Sequence, residues 1–219
     1  MWSIVVAGGS GRRFGQLKQY ALLDGRPVLQ WAVAACRTCS AGVVLVVPDG
    51  EGDHELHGAD AVVTGGPTRA DSVRCGLAAV PADAAVIVVH DAARPLASPA
   101  LFAAVVAVVT DGGADGAVPG VPPSDTIKAV DESGRVTSTL DRATLVAVQT
   151  PQAFRAALLR QAHDGGPSPT APTGATDDAM LVEALGGSVQ VVPGEPGNLK
   201  ITDPGDLGAA ERLLAEREA

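Results

Sequence analysis

A glycine-rich loop carrying three cations follows the first apolar run of the sequence. The run Ile4–Val6 leads into AGGSGRRFG (residues 7–15), and Lys18 follows three residues later. Glycines let backbone N–H groups approach an anion closely, and arginine and lysine supply the positive charge. The loop therefore predicts a phosphate-binding site, with a nucleotide or another polyphosphate as its ligand.

The glycine spacing excludes the two common nucleotide-binding loops. The P-loop ends in Gly-Lys-Ser/Thr, and the chain contains no Gly-Lys dipeptide. The dinucleotide fingerprint requires G-x-G-x-x-G, whereas Gly9, Gly11 and Gly15 have the spacing G-x-G-x-x-x-G. By itself the loop leaves an ordinary strand-to-helix turn open as the alternative.

Further polar motifs follow other apolar runs. HDAARP (90–95) follows Val86–Val89 and places an acid and a guanidinium at a strand end, while GGPTRADSV (65–73) combines a glycine turn with a hydroxyl near a helix start. The remaining motifs are DTIK (125–128), Arg142, QTPQAF (149–154), TDD (176–178) and NLKIT (198–202). Because ligands of open α/β sheets bind beyond the carboxyl ends of the strands, these motifs are candidates for one shared site.

Short apolar runs alternate with helical patterns along the chain, and this alternation predicts the elements that position the motifs. Strands are predicted at Ile4–Val6, Val43–Val47, Ala61–Val63, Ala85–Val89, Gly116–Val118, Val146–Val148 and Val189–Val192. Helices are predicted at Pro27–Cys36, Arg69–Ala79, Pro99–Val109, Ala153–His163, Asp177–Leu185 and Pro204–Glu216, with Pro27 in a first turn. The pattern predicts a single α/β domain over residues 1–219. Its architecture would be three-layer and Rossmann-like, a mostly parallel sheet with helices on both faces.

Two segments fall outside this alternation. Two polar, strand-like pieces, Asp125–Val130 and Arg135–Leu140, flank a turn and form a hairpin that would be marginal alone. They predict a protruding β-arm at about residues 120–143 that packs against another surface, such as a second subunit. The Gly-, Pro- and Thr-rich stretch 164–175 predicts a surface loop.

The amino-acid composition limits the possible binding partners and the cellular compartment. The net charge of -9 argues against nucleic acids and anionic membranes, and no run is long and apolar enough to span a bilayer. Three cysteines in a chain with no charged-then-apolar leader indicate a reducing, cytoplasmic location. Cys36 and Cys39 have metal-site spacing but no second Cys/His pair follows, so a structural role is predicted for both.

Together, the motifs AGGSGRRFG…KQY, GGPTRADSV, HDAARP, DTIK, QTPQAF, TDDAMLVE and NLKIT…DL resemble the 2-C-methyl-D-erythritol 4-phosphate cytidylyltransferases of the non-mevalonate isoprenoid pathway. The resemblance extends from about Val5 to Leu207. It implies transfer of CMP from CTP to methylerythritol phosphate with release of pyrophosphate. It also implies Mg²⁺ held mainly through the CTP phosphates, no metal site made by the protein alone, and a homodimer joined through the β-arm.

The resemblance assigns roles to individual residues. CTP-binding positions are Ala7, Gly8, Gly9, Gly11, Arg12, Gly66, Pro67, Ser72, Asp91 and Ala92. Catalytic positions are Arg13, Lys18, Arg142 and Lys200, and acceptor-binding positions are Arg94, Thr126, Arg142, Thr150, Thr176 and Lys200, with Thr126 and Arg142 supplied by the partner subunit. Pro67 departs from the family, in which an acidic residue is common at this position, and it offers no backbone donor to the cytosine.

Two alternatives stay open, and a third is disfavoured. A cytidylyltransferase for another polyol phosphate, such as ribitol 5-phosphate, would have nearly the same nucleotide loop. A non-catalytic nucleotide-binding protein would keep the glycines but has no need of the cations at Arg142 and Lys200. An NAD(P)-dependent reductase is disfavoured, because it requires the regular dinucleotide fingerprint with an acid about 20 residues beyond it.

Overall fold

The computed structural model describes residues 1–9, 14, 17–50, 57–164 and 176–218, and an eight-stranded sheet lies at its centre. The sheet strands are β1 (Trp2–Val6), β4 (Gly42–Val47), β5 (Ala61–Thr64), β6 (Val86–Asp91), β7 (Gly116–Val121), β10 (Ala147–Val148), β11 (Gln152–Arg155) and β12 (Val189–Pro193). Short pairs are formed by β2 (Leu22–Leu23) with β3 (Arg26–Pro27) and by β8 (Lys128–Val130) with β9 (Val136–Thr139). The helices are α1 (Val28–Arg37), α2 (Arg69–Ala79), α3 (Pro99–Thr110), α4 (Ala156–Asp164), α5 (Asp178–Ala184) and α6 (Pro204–Glu218).

The sheet is mostly parallel. β5, β4, β1 and β6 lie side by side in parallel, and β12 pairs parallel with β7. β11 joins the two groups by pairing antiparallel with both β6 and β7, and β10 pairs antiparallel with β7. The carboxyl ends of the parallel strands therefore share one edge with the loop that precedes β11.

Helices cover both faces of the sheet. Successive side chains of β4 alternate between two cores: Val44 and Val46 belong to one, Leu45 and Val47 to the other. Helices α1 and α3 pack on the face with Leu45, and α2, α4 and α5 pack on the opposite face. The predicted three-layer α/β fold with a mostly parallel sheet is confirmed.

Two local predictions were wrong. Ala153–Arg155 was expected to start a helix, but these residues belong to β11 because they pair with Val86–Val88 of β6 and with β7; α4 begins only at Ala156. Pro27 was expected in the first turn of α1, but it precedes that helix with extended backbone (φ -52°, ψ 136°) and lies in β3. Both errors arise from pairing partners that local patterns do not reveal.

The segment predicted as a β-arm contains the separate hairpin β8–β9. Its strands pair antiparallel, and most of its residues are exposed. The strands are shorter than the sequence pattern indicated, and the short 3₁₀ turn Arg142–Thr144 follows them. Most of the predicted surface loop, residues 165–175, lies outside the described residues. Within the described ranges, no helix has the length and apolarity needed to cross a bilayer.

Candidate active site

A cavity of about 440 Å³ opens at the carboxyl edge of the sheet, beside the ends of β1 and β6 and the start of α2. Residues from several of the sequence motifs form its wall. The predicted site residues that line it are Ala7, Gly8, Gly9, Lys18, Gly66, Pro67, Ser72, Asp91, Ala92 and Lys200. A neighbouring cavity of about 450 Å³ shares Gly8, Gly66 and Pro67 with it and is also lined by Asp49. The sequence-based site thus corresponds to one continuous concave surface.

Two adjacent glycines allow the loop between β5 and α2 to pack closely against the start of α2. A Cβ atom added to Gly66 would lie 2.3 Å from the Cβ of Asp71, and one added to Gly65 would lie 2.7 Å from the hydroxyl of Ser72. The helix start itself is fixed by a capping box in which Thr68 and Asp71 bond to each other's backbone N–H. Backbone and a helix N-terminus therefore form the wall of the cavity, which suits an anionic or base-bearing ligand.

A chain of ion pairs and hydrogen bonds runs from the cavity into the protein. Lys200 Nζ lies 2.6 Å from Asp91 Oδ2, and Arg69 Nε lies 3.3 Å from Asp91 Oδ1. Arg69 Nη1 also lies 2.8 Å from Asp178 Oδ2, and His163 Nε2 lies 2.9 Å from Asp178 Oδ1. Burial alone would raise the pKa of Asp91, but the charges of Arg69 and Lys200 outweigh it and hold this pKa well below its usual range. Asp91 is consequently ionised throughout the physiological pH range.

A hydrogen-bonded group behind Asp91 fixes its backbone. The N–H of Asp91 donates to Thr150 Oγ1 (3.0 Å), and that hydroxyl contacts His90 Nδ1 (3.1 Å). Burial lowers the pKa of His90 to about 4, so its ring is neutral at pH 7. Because Nε2 lies 3.1 Å from the carbonyl oxygen of Arg94, it carries the proton, and Nδ1 accepts from Thr150. Thr150 therefore orients Asp91, and its predicted contact with the acceptor stays a prediction.

Lys18 and Lys200 come from opposite ends of the chain and meet at the cavity. Lys18 belongs to a short 3₁₀ turn (Lys18–Tyr20), and its ammonium donates to the carbonyl oxygen of Ile201 at 2.8 Å. The segment after Ile201 is held by the Asp206 carboxylate, which accepts from the backbone N–H of Thr202 at 2.7 Å. The bond from Lys18 to Ile201 joins the two segments, and both lysines line the cavity.

Comparison with known proteins is consistent across the chain. Residues 1–216 match the family model "IspD: 2-C-methyl-D-erythritol 4-phosphate cytidylyltransferase". The chain belongs to this family. It is 43% identical to the 2-C-methyl-D-erythritol 4-phosphate cytidylyltransferase of Rubrobacter xylanophilus, over 99% of this chain and 95% of the relative. The crystal structure of the Thermus thermophilus cytidylyltransferase superposes with a TM-score of 0.80 at 35% identity, covering 97% of this chain and 98% of that one.

A second group of relatives is longer. The chain is 49% identical to the bifunctional enzyme IspD/IspF of Anaeromyxobacter dehalogenans over 96% of its own length. It spans 56% of the length of that protein. The similarity therefore concerns one part of the bifunctional relative.

Among the described residues, five predicted in the IspD site do not line the cavity: Thr150, which lies behind Asp91, and four others. Arg94 is half-buried behind it and donates to the carbonyl oxygen of Asn198 at 2.7 Å. Arg142 and Thr126 are exposed near the hairpin, where Arg142 donates to the carbonyl oxygen of Ser124 at 2.9 Å. Thr176 is exposed beside α5. Gly11, Arg12 and Arg13 lie outside the described residues, so their roles stay predictions.

Sequence reasoning missed several residues of the site. Arg69 lies inside the motif GGPTRADSV and lines the cavity, yet its role was not assigned. A cation in the first turn of a helix that follows a strand end is a signal that could have identified it. Asp178 belongs to the motif TDD, but its pairing with Arg69 and with His163 could not be predicted, because it depends on how α4 and α5 pack beside α2.

The cavity offers few ligands of the kind that Mg²⁺ prefers. Among the described residues, no group of three or more His, Cys, Asp or Glu side chains is arranged to hold a metal. Asp91 is the carboxylate in the described lining of the cavity between β1, β6 and α2, and both its oxygens are paired with cations; Asp49 lines the neighbouring cavity. Mg²⁺ commonly keeps one or two carboxylates together with substrate phosphates. These residues fit an ion that is held mainly by the triphosphate.

Proposed function

We propose that this protein transfers CMP from CTP to 2-C-methyl-D-erythritol 4-phosphate, giving 4-diphosphocytidyl-2-C-methyl-D-erythritol and pyrophosphate. The observation that carries the proposal is the single cavity in which glycine backbone, the start of α2, Lys18 and Lys200 converge. Membership of the IspD family over residues 1–216 supports the choice of substrates.

The reaction follows from charge. A 4-phosphate oxygen of the acceptor attacks the α-phosphorus of CTP in line, a new P–O bond forms, and the bond to the β-phosphate breaks to release pyrophosphate. The nucleophile is already ionised at pH 7, so the reaction needs no general base. The protein's work is to hold two polyanions together and to stabilise the charge on the phosphoryl oxygens.

The cavity residues divide between the two substrates. The backbone of Gly8 and Gly66 and the hydroxyl of Ser72 are proposed to contact the nucleotide, and Pro67 can offer only its carbonyl. Lys18 is proposed to bind the α-phosphate and the leaving group, a role shared with Arg13. Mg²⁺ bound to the triphosphate supplies additional neutralising charge.

Lys200 is proposed to orient the acceptor phosphate, together with Arg142. Its ammonium is paired with Asp91 in the structure, and 43% of its side chain is exposed. An incoming phosphate can therefore compete with Asp91 for this ammonium.

We propose a homodimer in which the hairpin of one subunit reaches the other's cavity. Val146 and Val191 flank Gly120 on one face of the sheet, where a Cβ at Gly120 would lie 2.8 Å from Val146 Cβ and from Val191 Cγ1. Both valines are exposed, as are Val130 and Val136 of the hairpin. A second copy of the chain would cover this apolar surface and would bring Thr126 and Arg142 to the acceptor.

Three free cysteines support a cytoplasmic enzyme.

The proposal is tested by magnesium-dependent release of pyrophosphate. CTP, ATP, GTP and UTP are each supplied with methylerythritol phosphate, and CTP is then supplied with ribitol 5-phosphate. Release confined to CTP with methylerythritol phosphate is the expected result. A preference for ribitol 5-phosphate would overturn the acceptor assignment, and nucleotide binding without release for any acceptor would favour a non-catalytic nucleotide-binding protein.

A further inference from the structure

We propose that Arg69 is a positioning residue for the transfer reaction. It pairs with one carboxylate oxygen of Asp91, so that Lys200 can leave the other oxygen and bind the acceptor phosphate. The inference rests on the proposed function. It assigns to Arg69 a role that acts on the acceptor through Asp91 and Lys200.

Arg69 bridges carboxylates from two different elements. It is the first residue of α2, and its guanidinium joins Asp91 at the end of β6 to Asp178 at the start of α5. The Asp178 side chain is 1% exposed and is held on its other oxygen by His163. A planar guanidinium with several donors can pair with two carboxylates at once, which a lysine ammonium does less well. Arg69 is thereby fixed in one position.

The remaining nitrogen of Arg69 is inaccessible from the cavity. Nη2 is buried and has no hydrogen-bond partner, whereas Nε and Nη1 are both engaged by carboxylates. The charge of Arg69 therefore acts on Asp91 and Asp178. This geometry indicates a positioning role and not a contact with substrate.

The two cations that face Asp91 differ in how easily they can leave it. The Arg69 side chain is 24% exposed and has a second carboxylate partner, while the Lys200 side chain is 43% exposed. An exposed ammonium on a flexible stem exchanges partners at little cost, and a buried guanidinium does not. When a phosphate enters the cavity, Lys200 is the cation that moves. Asp91 then remains paired with Arg69, and this pairing weakens its attraction for Lys200.

Without Arg69, Lys200 would be the remaining strong counterion of Asp91. His90 is neutral, and Arg94 acts on Asp91 only through its charge, because its guanidinium donates to the carbonyl oxygen of Asn198. Asp91 would hold Lys200 more tightly, and the acceptor phosphate would have to compete with an uncompensated buried carboxylate. The expected effect is a raised KM for the acceptor.

The test compares Arg69→Met and Arg69→Lys with Arg155→Met, which removes an exposed guanidinium paired with Asp115 far from the cavity. At saturating CTP, Arg69→Met should raise the KM for methylerythritol phosphate about 10-fold. Arg69→Lys should raise it less, since one ammonium can still neutralise Asp91, and Arg155→Met should leave it unchanged. Circular dichroism and thermal unfolding establish that each variant is folded. If Arg69→Met does not fold, the graded effect of Arg69→Lys carries the test.

The decisive variant is Arg69→Met combined with Asp91→Asn. A neutral amide no longer holds Lys200, so the double variant should have a lower acceptor KM than Arg69→Met alone, even if its kcat is poor. An unchanged acceptor KM in Arg69→Met, or an acceptor KM in the double variant above that of Arg69→Met, would overturn the inference. If the wild-type protein released no pyrophosphate from CTP, the proposed function would be overturned. If the wild type were active and Arg69→Met had the same acceptor KM, only the inference about Arg69 would be overturned.

Discussion

Lys18 presents an ammonium to the cavity from a 3₁₀ turn, and its bond to the carbonyl oxygen of Ile201 fixes the charge before substrate binds. Losing one such preorganised cation typically costs about 10²- to 10³-fold in rate. We expect Lys18→Ala to lower kcat by about this factor without unfolding the protein. Steady-state pyrophosphate release and thermal unfolding check both parts, with the surface variant Arg37→Ala as a control. Turnover near that of the wild type would contradict the assignment.

His90 makes stability depend on pH. Its pKa is lowered to about 4 in the folded state against 6.5 in the unfolded chain, chiefly because the ring is completely buried. Between these values the unfolded state binds the additional proton, so the free energy of unfolding falls as the pH drops from 6.5 to 4, by about 3 kcal/mol. Urea unfolding at several pH values should show this slope, and His90→Gln should flatten it. An equal slope in both proteins would assign the effect to other groups.

The residues that line the cavity were predictable where they follow a strand directly. Gly8, Gly66 and Asp91 come just after or at the end of β1, β5 and β6, so their meeting point follows from a parallel sheet. Asp178 could not be assigned in this way, since its place beside Arg69 depends on tertiary packing. Thr150 was predictable as a strand-end residue, but its bond to His90 was not.

Helix α2 packs so closely on the sheet that its glycine at position 76 has no room for a side chain, whereas a glycine in α6 has room. A Cβ on Gly76 of α2 would lie 2.6 Å from Ile4 Cγ2 and 3.1 Å from Val46 Cγ2, whereas one on Gly208 of α6 would meet only Arg212 Nη1 at 3.9 Å. Alanine gains up to about 1 kcal/mol over glycine in a helix, but overpacking a core costs about 1–3 kcal/mol.

We therefore expect opposite signs from the same substitution. Gly76→Ala should destabilise the protein by about 1–2 kcal/mol, and Gly208→Ala should stabilise it by about 0.5–1 kcal/mol. Denaturant unfolding of the two variants gives both values. If Gly76→Ala stabilised the protein, α2 would be able to shift away from β1 and β4 without lowering the free energy of unfolding.

A helix or strand was predictable from sequence when the apolar pattern of its own residues determined its conformation. All six residues of β4 are buried between two helical layers, so a continuous apolar run was a sufficient signal. β11 contains Gln152 and precedes α4 without a break, and its conformation depends on the strands beside it. The hairpin β8–β9 was predictable from its turn, although the surface that would cover it belongs to another molecule in our proposal.

At the scale of the whole molecule, the proposed dimer divides each active site between two chains. Lys18 lines the cavity of its own subunit, while Arg142 is exposed beside the hairpin and is absent from the described lining of that cavity. If the hairpin crosses to a partner, a Lys18→Ala subunit and an Arg142→Ala subunit can together form one intact site. The same mixed dimer would contain a second site with both substitutions.

Mixing two inactive homodimers should consequently restore activity. After subunits exchange at random, half of the dimers are mixed and each has one intact site of two, so pyrophosphate release should recover to about a quarter of the wild-type rate. Lys18→Ala mixed with wild type under the same conditions controls for exchange, and sedimentation confirms the dimer. If Arg142 served its own subunit's cavity, every site in the mixture would still lack one cation, and the rate would stay at the level of the separate variants.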